Sequence, residues 1–302
     1  MAATAEVRAP AAAGAEPRSR TAWDRLRQHK LAMAGLIFIV LLIIMAILAP
    51  WLAPADPNKQ DLFLKLAKPG TPFDALGEGK YWLGADHLGR DVLSRVIYGA
   101  RVSLLVGFVA EAIVMVIGVT MGALAGYYGG RVDRVIMRTV DVLFAFPDLL
   151  FAIAIMFALG RGLINLFIAL SVVGWAGMAR LTRGQVLALK EREFVEGARA
   201  AGASDARVIL RHILPNALGP IIVAVTLGIP GAIMSEASLS YLGLGVQPPT
   251  ATWGSMIYEG RSYLRHAPWM SLAPGVMIML TVLAFNLLGD GLRDALDPRT
   301  KK

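Results

Sequence analysis

From Leu31 to Ala53 the chain reads LAMAGLIFIVLLIIMAILAPWLA, without one charged side chain. As a helix rising about 1.5 Å per residue, such a run crosses a hydrocarbon layer of about 30 Å. A helix satisfies its own backbone polar groups, so it is at home in lipid. Pro50 and Trp51 suit the outer end of a span, where an aromatic ring sits at the headgroup level.

Composition decides between lipid and an unusually apolar soluble core. Charged residues make up 17% of the 302-residue chain, against about 25% in soluble domains. The long apolar runs recur, which excludes the soluble alternative. They cover Val102–Tyr127, Val135–Leu159, Leu163–Ala179, Ala217–Met234 and Met270–Leu288. The expected fold is an all-α integral membrane protein with six transmembrane helices. Residues 1–30 form a tail, 31–53 the first span, 54–100 a polar segment long enough for a small ordered cap, 101–290 a five-helix core with a cytoplasmic loop at 180–216, and 291–302 a second tail. Met1–Ser19 is Ala- and Pro-rich and reads as disordered. It lacks the layout of a signal peptide. TAWDRLRQHK reads as a short basic surface helix, with Trp23 at the interface, or as an ordinary juxtamembrane tail.

The formal net charge is +8. Its distribution matters more than its sum. Between Arg180 and Arg211 seven Lys/Arg face four Glu/Asp, whereas the short loop after the third span holds only Arg161. Short loops carry the topological signal, so both termini are expected in the cytoplasm of a bacterial cell, with basic segments against anionic lipid. No aromatic–basic platform supports nucleic-acid binding. With no cysteine, the chain has no thiol chemistry.

Small residues recur in GVTMGALAG, GWAGMA and GAIMSEAS, as close helix approach requires. Pro220 and Pro230 are expected to break the fifth span, which favours a pathway over an inert anchor. Arg138 and Asp141 are expected to pair at i,i+3. Glu111 lies well inside a span, where an ionisable group faces a bundle interior or a watery path. Glu236 follows the fifth span, in either a vestibule or a capping role. Both are candidates for passing a substrate amine.

No catalytic constellation stands out. GEGK at Gly77–Lys80 lacks the upstream glycine of a phosphate loop. Asp86 and His87 adjoin, but no third metal ligand shares their segment. No cofactor or metal site is expected. Uphill movement of a solute must therefore draw on a gradient or a partner.

The segment EFVEGARAAGASDARVILRHILPN, Glu193 to Asn216, is charged and helix-forming. Gly202 interrupts it. Ser204 is placed to cap a second helix starting at Asp205, whose carboxylate suits a helix N-terminus. Val208, Ile209, Ile213 and Leu214 supply an apolar side, and Pro215 and Asn216 are expected to end the helix before the fifth span. Gly197, Ala198, Ala200, Ala201 and Ala203 leave room for a close partner.

This segment resembles the cytoplasmic EAA loop of binding-protein-dependent ABC importer permeases. Glu196, Gly197 and Ala198 match its Glu-Ala-Ala with Gly at the centre, Gly202 its glycine, and Leu214–Pro215 its closing Leu-Pro. RHILPN, LGADHLGRDVLSRVIYGARVSL, GVQPPTATWGSMI and LTVLAFNLLGDGLRDALDPR are similar to the dipeptide/oligopeptide/nickel branch, in order, although Ala85 replaces its common Thr. The resemblance covers about Leu31 to the end and is nearest the C-type subunit. It implies a type I importer, MetI-like fold. It further implies a homologous B-type permease partner, two ATPase subunits that bind ATP and Mg, an extracytoplasmic solute-binding protein, and a peptide substrate. The second short helix would couple to an ATPase, with Glu196, Gly197, Ala198, Gly202, Ser204, Asp205, Arg207, Val208, Arg211 and Pro215 at or near the contact. A nickel or other small-solute permease, a gradient-driven transporter and a membrane scaffold stand as alternatives.

Overall fold

A computed structural model describes residues 22–73 and 79–296. The Met1–Ser19 tail, the first two residues of GEGK and the last six residues lie outside the described residues. The described chain is helical, and besides helices it holds only two isolated β-bridges, Pro72–Lys80 and Ala85–Asp91. In chain order the α-helices are α1 (Ala22–Gln28), α2 (Lys30–Ile47), α3 (Ala49–Leu52), α4 (Val92–Tyr128), α5 (Gly130–Phe144), α6 (Asp148–Leu159), α7 (Leu163–Leu189), α8 (Glu193–Ala200), α9 (Asp205–Arg207), α10 (Leu214–Tyr241), α11 (Trp253–Gly260) and α12 (Trp269–Leu296).

Five of these stretches are long and apolar enough to cross a membrane: α2, α4, α7, the run Asp205–Tyr241, and α12. The third expected span, Val135–Leu159, is instead two helices. α5 and α6 meet at 93°. Pro147 stands at the corner as the residue preceding α6. Its ring disfavours helical backbone at Phe146 and it donates no N–H, so α5 cannot run on. On α2, Leu31, Ile37, Leu41 and Ile47 are each more than half exposed. Water would penalise that surface and lipid does not. The protein is a multi-pass membrane protein.

The helices approach one another through small residues. On α4, Gly118, Gly122 and Gly126 lie four residues apart and face Met178, Ala179 and Val186 of α7; none has room for a Cβ. Gly35 of α2 meets the Ala284 carbonyl of α12, and Gly291 of α12 meets Ala32. Association in lipid has no hydrophobic drive between helices, so backbone-close packing supplies the dispersion energy.

α4 begins at Val92, ten residues earlier than its apolar run. Asp91 sets that start: its Oδ2 accepts from the Ser94 N–H at 2.7 Å and the Ser94 hydroxyl at 2.6 Å. The resulting 37 residues reach about 55 Å, so α4 projects past a bilayer core. Its first turns carry an ordered cap built from the described residues 54–73 and 79–91. Tyr81 donates its hydroxyl to the Gly89 carbonyl at 2.9 Å, and the Trp269 indole donates to the Ala85 carbonyl at 3.1 Å.

Within α10, Pro220 and Pro230 do not break the helix. Neither do Pro215 and Asn216 end the helix that starts at Asp205. Val208–Ile213 winds as a wide π-turn, with the Leu214 N–H donating to the Ile209 carbonyl. The shifted register lets Pro215, in the first turn of α10, continue the helix without an N–H. Asp205 to Tyr241 is therefore one 37-residue span.

Candidate functional site

Two features stand out, and the continuous helix from Asp205 to Tyr241 connects them. The first is a hairpin at one end of the bundle. α8 leads into Gly202, whose φ of +79° turns the chain back as glycine permits. Ser204 occupies the N-cap of α9 with extended backbone, although its hydroxyl makes no capping bond. Val195, Val208, Ile209 and Ile213 are buried against Ala123 of α4 and Val186 of α7. Tyr127, on the last turn of α4, donates its hydroxyl to Asp205 Oδ1 at 2.7 Å, and Arg199 lies over its ring.

This geometry sorts the residues of the expected ATPase contact. Glu196, Gly197, Gly202, Ser204, Asp205, Arg207, Arg211 and Pro215 are exposed, and Ala198 is half-buried. Val208 faces inward and anchors the hairpin to the bundle. Leu210 and Phe194 form exposed apolar ground on the outer side. Sequence reasoning missed both, as well as Tyr127. An ordinary helical wheel, at 3.6 residues per turn, already sets Leu210 on the side away from Val208 and was the available signal.

The second feature is a cavity of about 400 Å³ midway along the bundle. α4 contributes Ala110 and Glu111, α6 Asp148, α7 Gly174 and Gly177, and α10 Gly228, Gly231 and Ser235. The volume falls within the roughly 300–1,000 Å³ of small-molecule sites. Glu111 is only 7% exposed, yet it has no hydrogen bond or ion pair among the described residues. Gly228 makes room for it: a Cβ there would overlap the carboxylate. Glu236 lies outside this lining. It is fully buried, and its Oε1 accepts from the Ser240 hydroxyl at 2.6 Å. Thr252, the N-cap of α11, lies beside the same carboxyl. Asp141, expected to pair with Arg138, pairs instead with Arg180 of α7 at 3.0 Å. The 93° corner turns α5 away from a straight span, and α7 supplies the closer cation.

At the opposite end from the hairpin, the tertiary fold brings Glu259 of α11 to Asp86 and His87, three groups with metal-ligand chemistry. Two arginines already occupy the carboxylates. Arg90 donates to Asp86 Oδ2 at 2.5 Å and to Glu259 Oε2 at 2.7 Å, and Arg95 reaches the same two groups at 3.6 and 3.4 Å. Two carboxylates against two guanidiniums make a neutral cluster that staples the cap to α11.

A helical bundle with a midway cavity and an end-on hairpin suits a membrane permease. The comparisons with known proteins agree. Residues 118–302 match the family described as "Binding-protein-dependent transport system inner membrane component". Residues 18–69 match "N-terminal TM domain of oligopeptide transport permease C". The chain is 45% identical over 285 residues to the dipeptide transport system permease protein DppC of Bacillus subtilis (strain 168), covering 94% of this chain and 87% of that protein. It is 49% identical over 282 residues to the glutathione transport system permease protein GsiD of Escherichia coli O157:H7, covering 92% and 90%. Among solved structures, the inward-facing MetNI methionine ABC transporter aligns with a TM-score of 0.56 at 20% identity, over 68% of this chain and 97% of that one, which shows the fold. The chain belongs to the binding-protein-dependent transport permeases, in the branch of the peptide-system C-type subunits, and has their MetI-like fold.

Proposed function

We propose that this chain is the C-type permease subunit of an ATP-driven importer of dipeptides or short oligopeptides in a bacterial cytoplasmic membrane. It pairs with a homologous B-type permease. Two separate ATPase subunits bind ATP and Mg, and an extracytoplasmic binding protein delivers the solute. Both termini and the hairpin lie in the cytoplasm, a reading supported by the basic surplus between Arg180 and Arg211. The printed names of the relatives support the peptide class.

One observation carries the mechanism: the outer face of the hairpin is free, its inner face is bolted to the bundle, and a single helix runs from it to the cavity wall. An ATPase that grips Glu196, Ser204, Asp205, Arg207 and Arg211 and then closes would displace Asp205. The helix would carry that displacement to Gly228, Gly231 and Ser235. ATP-driven closure then biases the equilibrium between inward- and outward-open bundles, because the hairpin is held differently in the two states.

The test is a reconstituted complex with Gly202→Leu or Glu196→Trp. A Cβ at φ +79° is strained, and a bulky side chain at Glu196 obstructs a close-fitting groove. Membrane insertion should persist while binding-protein-stimulated ATP hydrolysis is lost. Unchanged stimulated hydrolysis in both variants would overturn the docking assignment.

A further inference from the structure

The cavity has a charge bias that the coupling mechanism does not use. Its ionisable lining consists of Glu111 and Asp148, and no Lys, Arg or His lines it among the described residues. The rest is aliphatic side chain, glycine and Ser235. A buried carboxylate normally holds a hydrogen-bond donor or a cation, because desolvation without a partner is costly. Glu236 follows that rule at Oε1, where Ser240 donates, and Glu111 at neither oxygen. The residue is more than nine-tenths buried, its carboxyl faces the cavity, and it has no donor within reach. α10 keeps that carboxyl clear by placing glycine at Gly228, and Gly231 and Gly177 have nothing within 4 Å of where a Cβ would stand. The bundle thus preserves both the carboxyl and the room in front of it.

We propose that the cavity is a cation-accepting station, in which Glu111, with Asp148 adding a second negative charge, transiently holds the ammonium group of the passing solute and disfavours anionic groups. The assignment rests on the reading of this chain as a permease. For a peptide, the group is the free α-amine. A single carboxylate without a surrounding donor network binds weakly, which suits a station that must release its ligand. Its place midway along the bundle puts it where transporters hold their solute.

The chain has no cysteine, so one introduced thiol reports on the cavity alone. Gly231→Cys, and separately Gly177→Cys, would be assembled in the full complex in membrane vesicles. Modification of this chain by trimethylammonioethyl and by sulfonatoethyl methanethiosulfonate would be followed by mass spectrometry. Each rate is divided by that of a small free thiol. The cationic reagent should be favoured about tenfold, as a nearby charge at intermediate dielectric requires. Adding Glu111→Gln should remove most of that preference, and Glu111→Asp should retain it. Equal normalised rates, failure of both reagents to reach either thiol, or a preference indifferent to Glu111→Gln would each overturn the station. In the same vesicles, dialanine uptake should fall several-fold in Glu111→Gln and survive in Glu111→Asp; unchanged uptake in Glu111→Gln also overturns it. Absence of dialanine uptake by the wild-type complex would instead strike the peptide reading, since the thiol rates are measured without peptide.

Discussion

Glu111 and Glu236 are both buried glutamates on long apolar helices, and the molecule treats them in opposite ways. Around Glu236, α10 packs closely on the Thr252 turn and α11: Ser240 donates to Oε1 while Oε2 has no hydrogen-bond partner among the described residues, and Gly245 and Gly254 exist because Ser240 and Ala237 leave no room for a Cβ. The same end of the bundle holds the Asp86–Arg90–Arg95–Glu259 cluster. Around Glu111 there is open space and no partner. Burial alone therefore does not identify a functional carboxyl. What separates the two is whether a neighbour donates to the carboxyl inside close packing, as Ser240 does to Oε1 of Glu236, or the group has no donor among the described residues and lines a void.

That contrast can be broken or sharpened by substitution, with stability read as chaotrope-induced unfolding of the purified complex in detergent. Glu259→Ala should have the largest effect. It leaves two buried guanidiniums facing Asp86 alone, and breaking a buried pair in this way costs about 3–5 kcal/mol. Glu236→Leu comes next. It strands the Ser240 hydroxyl in a closed pocket, a loss of about 1–3 kcal/mol. Glu111→Gln should stay within about 1 kcal/mol, because no protein bond is lost and the amide faces the same space. Gly231→Ala should be smallest and of opposite sign. A methyl meets nothing there, and alanine gains up to about 1 kcal/mol over glycine in a helix interior. A Glu111→Gln loss as large as that of Glu236→Leu would erase the distinction between the two regions.

Several parts of this molecule are legible in the residues themselves. The spans announce themselves by uninterrupted apolar length, and the small-residue stripe of GVTMGALAG predicts the close α4–α7 approach that Gly118, Gly122 and Gly126 make. The break at Gly202 and the N-cap position of Ser204 follow from local backbone preference. Other features depend on partners remote in sequence. The pairing of Asp141 with Arg180 rather than Arg138 was decided by the corner at Pro147 and the neighbouring α7. The convergence of Glu259 on Asp86 and His87 spans more than half the chain, and no spacing rule signals it.

The division follows the range of the forces involved. Hydropathy, helix capping and glycine's access to positive φ act within a few residues, so the string of amino acids was enough to establish a membrane-spanning helical chain with a broken, charged hairpin between two spans. Whether Pro215 stopped a helix or was carried through a π-turn depended on how that hairpin packed against Ala123 and Val186. Whether a buried glutamate was consumed or left open depended on which side chains the folded bundle brought to it. Only the tertiary structure, which sets distances between residues far apart in the chain, could separate Glu111 from Glu236.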